Sequence, residues 1–355
     1  MLSRLLLSFL ALALGLGICE SLLRVLDIGP RFQVLFRERI TSSRNPILRY
    51  ELRPGSRDGA FQISSAGIRD REFSRLKPQG VFRIVALGDS VTYGGGTQQP
   101  EAWPRQLEWA LQSRTPDSRV EVLNFGVSGY NIAQVMERLD VLALGFEPDL
   151  VLYGYVLNDP QQFSVEASAL AQIAKAEGSD APVWKRLAAR SRVYLLSRHL
   201  LGIKRPGPSS TPGRILDPQR VGMRQDPLGG YFRALHKDEP GRQRVEAGLA
   251  RLAGLSTSAG IQAAVILFPL LLSVEEYPLQ DVHTEVRRLA RSQGLRVLDL
   301  AEPFQEALPS GDLHLDFLHP TARGHRLAAR EISNWICEQG WIPCIALKTR
   351  PASRR

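Results

Sequence analysis

The sequence predicts an α/β fold, a three-layer α/β/α sandwich with a parallel sheet and a helical insertion. From residue 81 onward, apolar runs of strand length alternate with segments of helical periodicity. That alternation implies parallel strands joined by crossover helices. A Pro-, Gly- and Ser-rich stretch at 204–220 interrupts the rhythm before it resumes, which marks an insertion. With 355 residues, 44% of them hydrophobic and 23% charged, the chain has ample material for a core.

The first 26 residues stand apart from this pattern. "MLSRLLLSFLALALGLGICESLL" sets Arg4 ahead of an apolar run from Leu5 to Cys19 and reads as an export segment. The run is short against the roughly 20 apolar residues that a spanning helix needs. Its small residues, Ala11 and Ala13 or Gly15 and Gly17, would put a signal cleavage inside the apolar core. A retained signal anchor in the inner membrane is therefore preferred to a cleaved signal peptide and a soluble exported protein. Ile18, directly before Cys19, argues against lipoprotein processing. Both readings put the body of the chain outside the cytoplasm, in the periplasm or beyond.

Residues 27–80 are polar, with turn signals "RPGS" and "SRDG", and predict a small β-rich lead-in. The main body follows at 81–340. Its first half reads strand 81–88 ("VFRIVALG"), helix 102–114, strand 119–126, helix 131–144 and strand 149–157. The insertion, at about 160–240, carries helix-like pieces such as "APVWKRLAARSRVYLLSRHLLG". A helix at 241–260, a strand at 261–269, a helix at 279–294, a strand at 295–300 and a last helix at 320–339 complete the body, and 341–355 is a basic tail.

The net charge is +9 and the pI is about 9.8. Arginines are scattered, without a dense basic run or interleaved aromatics, so nucleic acid is not an expected partner. Outside the export segment the cysteines are Cys337 and Cys344, flanking "EQGWIP". Either a local disulfide, natural in an oxidising compartment, or two unrelated thiols fits that spacing.

The chemistry gathers at strand ends. In "VALGDSVTYGGG", Ser90 falls where a buried strand stops and a helix begins. Ligands bind outside the carboxyl ends of such strands, and a helix start offers unpaired N–H groups to an anion. Alone, Asp89 or Ser90 also reads as a simple helix N-cap. A serine nucleophile needs a base, and the base an orienting acid. "GDLHLDFLHPTARGHRLAA" supplies His319 three residues after Asp316, ahead of a helix started by Pro320. His325 lies inside the helical pattern and reads as packing or capping, and His314 precedes the acid. These histidines with Asp312 or Asp316 contain no helical His pair, so no metal is expected, and no cofactor. An oxyanion also needs donors. "NFGVSGYN" offers the N–H of Gly129, "YVLND" the side-chain amide of Asn158, and Ser90 its own N–H.

These blocks, in this order, resemble the SGNH or GDSL hydrolases: "GDS" with Ser90, "NFGVSGYN" with Gly129, "YVLND" with Asn158 and "DFLHP" with Asp316 and His319. The lead-in "ISSAGIRDREF" (63–73) is similar to that of exported, membrane-anchored members. Val156 stands where the family often has Gly. The resemblance spans roughly residues 45–340 without the insertion. It implies a flavodoxin-like sandwich and a Ser90–His319–Asp316 triad hydrolysing acyl or acetyl esters. The substrate would be an acylated small molecule or glycan. The same triad also serves O-acyltransfer to a surface polysaccharide, and a non-catalytic glycan-binding export accessory is the remaining alternative. Thr92 replaces the second Gly of G-x-S-x-G, so the α/β-hydrolase elbow is not met. "GGG" at 94–96 lacks the Lys of a phosphate loop.

Overall fold

A computed structural model describes residues 2–26, 28, 39–58, 61–162, 182–200, 230–272 and 276–345. Helix α1 spans Leu2–Val25 and is followed by strands β1 (Ile40–Ser42), β2 (Tyr50–Leu52), β3 (Arg57–Asp58) and β4 (Phe61–Gln62). Strand β5 (Val81–Gly88) runs into the short helix α2 (Ser90–Tyr93), then α3 (Trp103–Gln112), β6 (Arg119–Asn124), α4 (Ile132–Val141) and β7 (Leu150–Tyr155). Next come α5 (Val183–Arg190), α6 (Arg192–Leu200), α7 (Gly230–Lys237) and α8 (Glu239–Ala259). The order closes with β8 (Gln262–Leu267), α9 (Gln280–Ser292), β9 (Arg296–Asp299), α10 (Ala301–Ala307) and α11 (Ala322–Glu338). The loose stretch 204–220 and most of the tail, from 346 on, lie outside the described residues.

The chain divides into two compact units, Met1–Arg53 with Val165–Ile215, and Pro54–Ser164 with Leu216–Arg355. The lead-in is thereby split. Its first antiparallel pair, β1 with β2 (Ile40↔Leu52), belongs to the first unit, and its second, β3 with β4, to the other. In the first unit α1 exposes its leucines from Leu5 to Leu22, and α6 packs against it.

The second unit is built on a parallel sheet of five strands in the order β6-β5-β7-β8-β9. By sequence this is 2-1-3-4-5, the flavodoxin-like order of doubly wound sheets, whose switch point lies between the first and third strands. Right-handed crossovers in that order send α3 and α4 to opposite faces. Accordingly α3 packs with β6 and α11, while α4 packs with α8, which in turn meets α9. Strands covered on both faces need continuous apolar sequence, as "VLYGY" and "RIVALG" provide. Arg83 is the exception within β5. It is fully buried but spends its donors on Glu121 (2.7 Å) and on the carbonyls of Ser74, Arg75 and Phe146. Such pairing is what makes a buried charge tolerable.

Two features differ from or sharpen the sequence expectation. "AEPFQEA" forms the helix α10, which no long apolar period announces. Cys337 and Cys344 form a disulfide, closing the end of α11 onto the turn after it.

Candidate active site

Ser90 is the first residue of α2, directly beyond the carboxyl end of β5, and is almost entirely buried. Asp89 is the N-cap: its Oδ1 accepts from Val91 N at 2.9 Å. Gly88, with φ of +154°, makes the turn. A Cβ there would fall 2.2 Å from Thr92 Oγ1 and 2.8 Å from the Gly154 carbonyl, so only glycine lets the chain turn this tightly.

The candidate acid and base, Asp316 and His319, come from the segment before α11. Leu315 N donates to His319 O at 2.8 Å and Thr321 N to Leu313 O at 2.9 Å, folding 313–321 back on itself. Asp316 Oδ1 accepts from the backbone N–H groups of Leu318 and His319, each at 2.8 Å. The same carboxylate meets His319 Nδ1 at 2.9 Å through Oδ2. His319 Nε2 lies 2.9 Å from Ser90 Oγ. Burial alone would raise the Asp316 carboxyl, but the hydrogen bond and charge of His319, with the two N–H groups, hold it below its usual value. Asp316 is therefore ionised at neutral pH and fixes a single imidazole orientation.

The rival residues lie elsewhere. Asp312 is in an exposed turn, where its carbonyl accepts from Thr321 Oγ1 at 2.7 Å. His314 is exposed. His325 is fully buried in α11, its Nδ1 accepting from Trp103 N at 3.3 Å at the start of α3. Burial, then the charges of Arg69 and His319, push it down to about 3, so it is neutral. Among the described residues no group of His, Cys, Asp or Glu is arranged to hold a metal ion.

Asn158 follows β7, across the switch point from Ser90. Its Nδ2 donates to Asp89 Oδ2 at 3.2 Å, and its buried Oδ1 has no hydrogen-bond partner among the described residues. The turn bearing it is fixed by Asp159, fully buried, whose Oδ2 accepts from Tyr153 OH at 2.5 Å and Val156 N at 3.2 Å. Burial, reinforced by the charge of Asp89, pushes the Asp159 carboxyl well up. Gly129 sits in the turn after β6 with φ of +79°. Val127 N in that turn donates to Gly88 O at 3.1 Å, binding it to the turn that carries Ser90.

Sequence reading missed three supports. Asp89 is more than a cap, because its Oδ2 joins Asn158 to Ser90 Oγ (3.4 Å). Arg69, from "ISSAGIRDREF", is buried over the Tyr93 ring and donates to the carbonyls of Tyr93, Gly94 (2.9 Å) and Thr97 (2.8 Å). It clamps the end of α2, which gives that lead-in motif its purpose. "GGG" passes under the 313–321 loop: a Cβ on Gly95 would lie 3.3 Å from His319 Cδ2, and one on Gly96 2.4 Å from Leu315 Cδ1. The run itself was the available signal for that close approach.

Solved structures similar to this chain include Axe2, an acetylxylan esterase from Geobacillus stearothermophilus, at 16% identity over 74% of this chain and 96% of that one, TM-score 0.43. LAE5, an alpha/beta hydrolase enzyme from the metagenome of Lake Arreo, Spain, is 17% identical over 73% and 95% of the two chains, TM-score 0.44. A two-domain esterase, CEX, active on acetylated mannans, is 13% identical over 78% and 51%, TM-score 0.42. No curated protein matches the chain. Residues 86–327 match the family profile described as GDSL-like Lipase/Acylhydrolase. That span holds all four blocks, and the chain belongs to the GDSL-like lipase/acylhydrolase family as an ester-hydrolysing enzyme.

Proposed function

We propose that this enzyme is a serine esterase that cleaves acyl or acetyl esters by a Ser90–His319–Asp316 mechanism. The observation that carries the reading is the continuous relay of 2.9 Å from Ser90 Oγ to His319 Nε2 and 2.9 Å from His319 Nδ1 to Asp316. His319 takes the Ser90 proton as Oγ attacks the ester carbonyl, and Asp316 stabilises the imidazolium. The N–H groups of Ser90 and Gly129 and the Asn158 amide hold the oxyanion, each donor worth about 3–4 kcal/mol in the transition state. Collapse expels the alcohol, which receives its proton from His319. Water, deprotonated by His319, then attacks the acyl-enzyme and restores Ser90 as the acid leaves.

The substrate in this reading is an acylated glycan met outside the cytoplasm, with α1 retained as an inner-membrane anchor. Support comes from α1, long and apolar over Arg4–Val25 with none of that window buried, and from the Cys337–Cys344 disulfide, natural to an oxidising compartment. Incubating the enzyme with an acetylated oligosaccharide, with and without a hydroxyl-bearing glycan acceptor, tests it. Free acetate released at the same rate in both supports hydrolysis, whereas acetyl recovered on the acceptor makes the enzyme an O-acyltransferase. N-terminal sequencing of the membrane fraction tests the anchor: an intact start supports it, and a soluble chain beginning near Ile18 refutes it.

A further inference from the structure

The first unit holds a second element that the anchor explains. Helix α5 exposes Val183, Trp184 and Leu187 at 61%, 66% and 63%. At about 100° per residue these three share one arc, and Lys185 and Arg186 fall outside that arc in the sequence register. An apolar arc with Trp, on a helix whose sequence also carries basic residues, is the pattern of a helix lying in a membrane interface.

How α5 and α6 attach to α1 supplies the depth. Glu20 sits near the end of α1, after the apolar run Leu5–Cys19, which holds no charged residue. Its carboxylate accepts from Ser191 Oγ (2.9 Å), Arg192 N (3.0 Å), Val193 N (3.0 Å) and Arg24 Nε (2.8 Å). Ser191 Oγ in turn accepts from Tyr194 N at 3.1 Å, and Arg192 Nη1 donates to Leu23 O at 3.0 Å. One glutamate thus closes the start of α6 onto the anchor. An ionised carboxylate is costly in hydrocarbon, so Glu20 and its donors belong at the lipid–water boundary. Ser191 alone separates α6 from α5, which fixes the start of α6 and the end of α5 at that same boundary.

We propose that α5 is an in-plane helix that inserts Val183, Trp184 and Leu187 into the headgroup layer of the bilayer crossed by α1, with Glu20 as the positioning residue. The occupant of the apolar face is the lipid surface, and the basic register favours anionic headgroups. This rests on the reading of α1 as a retained anchor.

The test uses the full chain in vesicles of phosphatidylcholine and phosphatidylglycerol with brominated acyl chains. The emission difference between wild type and Trp184→Phe isolates Trp184. It is quenched by half or more in brominated vesicles, and Glu20→Leu, which leaves the anchor more apolar, lowers that quenching by at least half. In a Cys19→Ser background, Trp184→Cys in vesicles reacts at least tenfold more slowly with a water-soluble maleimide than in denaturant. A chain that floats with the vesicles while Trp184 stays unquenched, or is protected from water but not quenched by lipid, overturns the in-plane helix and leaves the anchor standing. A chain that does not float overturns both.

Discussion

Asp89 Oδ2 lies 3.2 Å from the side-chain amide of Asn158 and 3.4 Å from the hydroxyl of Ser90. One buried carboxylate thus links the proposed nucleophile to the proposed oxyanion donor across the sheet's switch point. Burial raises it, against the Val91 N–H, the charge of His319, and its bonds to Asn158 and Ser90. Asp89→Asn turns an acceptor facing Asn158 into a choice between lost cap and opposed donors. We expect kcat to fall about 10–100-fold with KM little changed, the size of effect that small misplacements produce. Steady-state kinetics on a short p-nitrophenyl ester check it, and a KM effect alone would point to substrate binding.

Asp316→Asn keeps the loop's shape but removes the acceptor that sets the imidazole tautomer. Activity drops by roughly 10²–10⁴-fold, by the precedent of other triads. Asp312→Asn, at an exposed turn, leaves kcat within about twofold, as ordinary surface changes do. The reverse ranking would mean that the wrong carboxylate has been assigned.

Gly95→Ala sets a methyl against His319, 3.3 Å from its Cδ2. His319 must shift by a few tenths of an ångström, and kcat falls about tenfold while the thermal midpoint moves little. Unchanged kinetics in a folded variant would show that the imidazole has room to spare.

His236 is buried, with Nε2 2.7 Å from Tyr155 OH and Nδ1 2.7 Å from Phe232 O. Burial pushes its pKa down from 6.5 to about 4. The unfolded chain takes up this proton first as pH falls. Its contribution to stability is thus complete above about 6.5 and is lost between 6.5 and 4. Urea midpoints of His236→Gln and wild type, compared over that range, differ in slope by about one proton, ~1.4 kcal/mol per pH unit. Parallel slopes would show that His236 is charged in the fold.

Much of this was legible beforehand for a physical reason. A strand buried on both faces must be apolar throughout, so β5, β7 and β8 declare themselves. Polar residues at their carboxyl ends, such as Ser90 and Asn158, are conspicuous because the fold puts its ligands there. What stayed hidden depends on distance in sequence. Nothing local in Glu20 announces that it caps a helix at Ser191, or in Arg69 that it reaches the carbonyls after Tyr93. Asp89 looked like a cap because it is one, and its second oxygen has meaning only once β5 and β7 lie side by side. Strands of two residues, such as β3 and β4, carry too little pattern to read.

The central claim is that Ser90 forms the acyl-enzyme through His319. Reaction with a fluorophosphonate ester, followed by peptide mass spectrometry, tests it most directly. The account predicts one adduct on Ser90, lost in His319→Ala, and activity of Ser90→Ala reduced to a residual level. An adduct on another residue, or a folded Ser90→Ala enzyme within about tenfold of wild type, well above the loss that triad knockouts cause, would contradict it.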